Sequence, residues 1–189
     1  KDLMSESRGL PPSYFKGLNF LLNEQPDKAI ETLLEVARND SQTVELHFSL
    51  GNLFRRRGEV ERAIKMHQNL LDRPDLDRQQ RLEAVFELGQ DFLKAGFLDR
   101  AENLFVKLKG TDFERRGLSF LVDIYEQEKD WEKAIEASRN IRNFQKESKT
   151  KEIANYYCEL ALIDVEKFEY SRAEGFLSQA IRENYKCVR

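Results

Sequence analysis

Residues 43–71 read TVELHFSLGNLFRRRGEVERAIKMHQNLL. Two amphipathic stretches meet here at Gly58. The first carries Leu50, Gly51 and Phe54. The second carries Ala63, His67 and Leu70, spaced i, i+4 and i+7 as one face of a helix requires. A glycine between them ends the first helix, because it enters the left-handed region without a Cβ clash. Gly51 and Ala63 put one small residue in each stretch, so the two helices can approach closely and interlock. The stretch predicts a helix–turn–helix hairpin.

The hairpin recurs along the chain. Matching phrases surround Ala29 (PDKAIETLL), Ala63 (VERAIKMHQ), Ala101 (LDRAENLFV), Ala134 (WEKAIEASR) and Ala173 (YSRAEGFLS), at intervals of 34, 38, 33 and 39 residues. A period near 34 with a small residue at one fixed place is the signature of tetratricopeptide repeats. The expected fold is an all-α tetratricopeptide-repeat solenoid, about five helix-turn-helix repeats in a right-handed superhelix. Repeats start near residues 10, 44, 82, 115 and 154, so residues 10–189 form the array and 1–9 a linker closed by Pro11-Pro12. The stretches DRPDLDRQQ, before Leu82, and RNFQKESKTK, before Ala154, are expected as lengthened connections. Asp130 is expected to cap the second helix of the fourth repeat. No polar capping helix follows the fifth repeat, and Ile181 and Val188 are left without apolar partners. The array is therefore expected to be truncated at both ends, and its open stacking face to favour a homo-oligomer.

The 189 residues carry a net charge of −3, with 34% charged and 40% hydrophobic side chains. That balance argues against a nucleic-acid partner. The sequence holds no apolar run of membrane-spanning length and no signal-peptide pattern. Cys158 and Cys187 form no CxxC pair, so no metal site or cofactor is expected in this chain. Cys158 reads as a structural thiol. His47 and His67 have no neighbouring serine or cysteine placed as a nucleophile, and no glycine-rich phosphate loop occurs. The chain is read as a non-enzyme, with His67 a core residue.

Function then falls to the first helix of each repeat, which lines the concave face. Phe48 and Phe86 occupy the same place in adjacent repeats, with Asn52 and Gln90 one turn later. Together with Arg55, Arg56, Lys94 and Asp123 they form the candidate partner-binding face. Aromatic rings would supply apolar area and amides would bond a peptide backbone. Packing of Phe48 and Phe86 between repeats is the competing reading. One known groove chemistry is excluded: the clamp for a C-terminal carboxylate needs lysine, asparagine and arginine where this chain has Tyr14, Leu18, Glu83 and Glu87.

The stretch LGNLFRRRGEVERAIKMHQNLL, with GLNFLLNEQPDKAIE before it and ANYYCELAL after it, resembles the lipopolysaccharide assembly protein B family of Gram-negative bacteria. The resemblance runs from about Tyr14 to Ala180. It implies an adaptor that brings the lipid A pathway deacetylase LpxC to the FtsH membrane protease and so limits lipopolysaccharide synthesis. It also implies an inner-membrane regulator as a third partner, and a location at the cytoplasmic face of the inner membrane. For full-length members it implies an anchor helix and a rubredoxin-like C-terminal domain holding zinc or iron. A general scaffold that gathers lipopolysaccharide synthesis or transport proteins without directing proteolysis is the alternative.

Overall fold

A computed structural model describes residues 12–22, 28, 29, 32, 44–144 and 149–186. Among these residues the secondary structure is helical throughout, joined by turns. In chain order the helices are α1 (Pro12–Leu22), α2 (Val44–Arg56), α3 (Val60–Leu71), α4 (Arg78–Lys94), α5 (Leu98–Val106), α6 (Glu114–Glu128), α7 (Trp131–Phe144), α8 (Thr150–Glu166) and α9 (Tyr170–Glu183). The expected linker at 1–9, residues 145–148 of the RNFQKESKTK connection, Cys187 and Val188 lie outside the described residues.

The chain divides into two compact units, residues 1–95 and 96–189. In the first, α2, α3 and α4 pack on one another. Leu46, Leu50, Phe54, Ala63, Leu70 and Ala84 are fully or almost fully buried there. In the second, neighbouring helices from α5 to α9 pack in sequence order, around Ala101, Phe105, Leu108, Ile124, Ala134 and Ile153. The marker alanines Ala29, Ala63, Ala101 and Ala134 are each wholly buried, and Ala173 almost so.

The turn between the two helices of a repeat is built the same way three times. Gly58 N–H donates to the Arg55 carbonyl and Glu59 N–H to the Phe54 carbonyl, which satisfies the orphan carbonyls at the end of α2. Lys129 and Asp130 repeat the pattern on Glu126 and Tyr125, and Phe168 and Glu169 on Val165 and Asp164. The pivot residue sits at positive φ each time: 79° at Gly58, 57° at Lys129 and 63° at Phe168. Only the first has the residue that reaches this region without steric cost. Asp130 caps α7 as expected, its Oδ1 accepting from Lys133 N–H at 3.1 Å.

Two connections are shorter than the sequence suggested. Helix α4 begins at Arg78, so the last three residues of DRPDLDRQQ are helix rather than loop. The cause is a capping box. Asp77 Oδ1 accepts from Gln80 N–H at 2.7 Å, and Gln80 Oε1 accepts from Asp77 N–H at 3.2 Å. Helix α8 likewise begins at Thr150, ahead of the expected start near Ala154.

Candidate partner-binding face

The proposed face depends on α2 and α4, which carry seven of its eight residues. Their burial separates them into two groups. Phe86 is 1% exposed and Phe48 8% exposed. Phe48 packs against Val44, Leu70, Leu76 and Ala84, and its ring lies 6.1 Å from that of His67. Turning either ring out to a ligand would forfeit roughly 2 kcal/mol of burial. The two phenylalanines are packing residues, which corrects their assignment to the face.

Arg55 is 17% exposed and is engaged from four sides. Its Nη1 donates to Asp91 Oδ1 at 2.8 Å and to the Glu87 carbonyl at 3.1 Å. Its Nη2 donates to Glu87 Oε2 at 2.5 Å and to Asn52 Oδ1 at 2.6 Å. Burial opposes the charge on Arg55; hydrogen bonds and Coulomb attraction from Glu87 and Asp91 outweigh it and hold the guanidinium above its ordinary value. Gln90 Nε2 closes the chain of bonds by donating to Glu87 Oε2 at 3.1 Å.

The network continues inward to His67, which is fully buried. Its Nδ1 lies 2.5 Å from Asp91 Oδ2. The carboxylate accepts only, so the imidazole donates from Nδ1. The space for the ring comes from Gly51, where a Cβ would stand 2.3 Å from His67 Nε2. The core placement of His67 agrees with the sequence reading; its acidic partner does not appear there. The signal was available. Asp91 stands ten residues before its marker alanine, where the second, fourth and fifth repeats have Leu53, Ile124 and Ile163 and the first has Asn19. An acid at an apolar register requires a buried partner.

Arg56 and Lys94 are exposed, at the last turns of α2 and α4. Asp123 belongs to the second unit, on α6, and is exposed. Partial desolvation, then the charge of Glu126, holds its carboxyl above the ordinary value against the opposing pull of Lys149. Nearby, Tyr156 donates to Glu126 and stacks on Trp131 at 5.9 Å. Tyr125 donates to Glu102 at 2.9 Å, and burial followed by this bond raises its phenol well above the ordinary range. Among the described residues no cluster of three His, Cys, Asp or Glu side chains is arranged to hold a metal ion. No helix among them is long and apolar enough to cross a membrane.

The tetratricopeptide repeat profile matches residues 46–82, which contain α3 and most of α2. A tetratricopeptide repeat protein of Parabacteroides merdae has a similar fold, with a TM-score of 0.62 at 17% identity over 93% of this chain and 68% of that one. Lipopolysaccharide assembly protein B of Escherichia coli K12 is 42% identical over 185 residues, 97% of this chain and 48% of the relative. The Haemophilus influenzae protein of the same name is 34% identical over 198 residues, covering 100% of this chain and 50% of the relative. The chain thus spans about half the length of the curated relatives it matches. It has the all-α tetratricopeptide-repeat fold and belongs to the lipopolysaccharide assembly protein B family.

Proposed function

We propose that this chain is a non-catalytic adaptor in the control of lipopolysaccharide synthesis, which presents the lipid A pathway deacetylase LpxC to the FtsH protease at the cytoplasmic face of the inner membrane. The observation that carries the reading is the 42% identity to lipopolysaccharide assembly protein B across nearly the whole chain. The fold supports it: stacked helical hairpins present extended surface for other proteins. An inner-membrane regulator of lipopolysaccharide synthesis is a further partner on this reading. The relatives' name, an assembly protein, favours a second reading in which the chain gathers synthesis or transport proteins without directing their degradation.

Depleting the full-length protein and following LpxC by pulse-chase separates the two. The adaptor reading expects a longer LpxC half-life that returns to normal when the protein is restored. An unchanged half-life removes the adaptor and leaves the scaffold.

A further inference from the structure

The buried network around Arg55 fixes which end of each neighbouring amide faces outward. Asn52 uses its carbonyl oxygen to accept from Arg55 Nη2, which leaves its NH2 group as a donor. Gln90 uses its NH2 group to donate to Glu87 Oε2, which leaves its carbonyl oxygen as an acceptor. Neither remaining group has a protein partner among the described residues, and both side chains are half-buried. The two amides hold the same place in adjacent repeats, eleven residues before Ala63 and Ala101. They are linked through Arg55 and Glu87, which hold the donor and the acceptor each in a fixed orientation. Four residues further along, at equivalent places, Arg56 and Lys94 extend into solvent. The carboxylates between them are turned onto Arg55 and His67.

The geometry points to an extended acidic peptide segment of a partner protein as the occupant of this face. Asn52 and Gln90 bond its backbone carbonyl and N–H, and Arg56 and Lys94 attract its acidic side chains. A backbone in extended form offers N–H and C=O groups along one edge, the complement of this donor–acceptor pair. The amides read no side chain, so sequence preference comes from the two exposed cations alone. Arg55 acts as a positioning residue. This inference rests on the adaptor reading, and it names the form of partner that the reading requires.

The test uses variants that leave the internal network intact. Asn52→Asp keeps the oxygen that accepts from Arg55 and replaces the outward donor with an acceptor. Gln90→Lys keeps a donor toward Glu87 and removes the outward acceptor. A random peptide library is selected against the immobilised wild-type chain, and the selected peptides are measured against each variant by fluorescence anisotropy. Acidic peptides are expected, binding about tenfold or more weakly to Asn52→Asp, as a lost donor and an opposed acceptor dictate. Arg56→Ala should weaken binding and flatten its salt dependence. Selected peptides without acidic bias, or equal binding to correctly folded Asn52→Asp and Gln90→Lys, overturn the inference. Binding to phosphatidylglycerol vesicles through Arg56, with no peptide selected, also overturns it. A parallel pull-down of intact LpxC keeps the two readings apart. Acidic peptides bound through Asn52 while LpxC is not bound would sink the adaptor reading and leave the peptide site.

Discussion

Two glycines on helices respond to the same added methyl group in opposite ways. Gly51 lies on α2 against the His67 ring, and a Cβ there would sit 2.3 to 2.9 Å from three ring atoms. The ring cannot retreat easily, because it is wholly buried and tied to Asp91. Gly175 lies inside α9 with nothing within 4 Å of its added Cβ. Alanine at Gly51 should cost about 1–3 kcal/mol by overpacking. Alanine at Gly175 should add about 0.5–1 kcal/mol, because it removes the entropy that glycine loses in a helix. Urea midpoints of the two variants check both signs at once. Equal midpoints would mean that the His67 ring yields to the new methyl.

The small residue at Gly51 was legible in the sequence as a site of close helix approach. What approaches it was not, because the partner atom belongs to a ring held by an acid twenty-four residues further on. Periodicity reports which residues face inward. It is silent on which inward polar groups meet.

At the scale of elements, ion pairs tie helices together with strengths set by burial. Arg55 on α2 bridges to α4, where Glu87 and Asp91 have side chains 9% and 0% exposed. Arg55→Ala leaves two carboxylates buried without their counter-charge, at a cost of about 3–5 kcal/mol. Arg55→Lys should recover only part of this, since an ammonium cannot fork to Asn52, Glu87 and Asp91 together. A denaturation series of the two variants tests the order. Lysine performing as well as arginine would show that charge alone matters.

The pair between α7 and α9 lies nearer the surface. Arg139 and Arg142 both donate to Glu183, at 3.0 and 2.9 Å. Burial pushes the Glu183 carboxyl up, and the two arginine bonds outweigh it, so its value lies below the ordinary 4.5. A carboxylate with a depressed folded value stabilises the fold above the unfolded value and loses that contribution as pH falls through the folded one. The stability gap between wild type and Glu183→Gln should therefore be open at neutral pH and close below pH 4.5. A gap that does not change with pH would assign the effect to packing. The helices themselves were easier to read than these ties. The alanine phrases located the hairpins, while the early start of α4 rested on Asp77 and Gln80, a local cap pattern that the repeat alignment overrode.

On the scale of the whole molecule, the repeat period and the packing divide the chain at different places. Alignment on the alanines pairs α4 with α5 as the third repeat. Packing instead puts α4 in the first unit and α5 in the second, with the division at Ala95. Sequence spacing records how hairpins recur, whereas cooperative units follow the density of buried contacts. Each unit has a core of its own, Leu46, Leu50 and Phe54 in one and Ile124, Ala134 and Ile153 in the other. In a repeat protein stability is a sum of local terms, so a local lesion need not spread through the chain. Native-state hydrogen exchange on the Gly51→Ala variant makes this measurable. Protection should fall in α2, α3 and α4, which share the core around His67, and stay at the wild-type level from α6 to α9. Loss of protection in equal measure from α2 to α9 would show that the chain opens as a single cooperative body, with the two packed cores coupled as strongly as the helices within each.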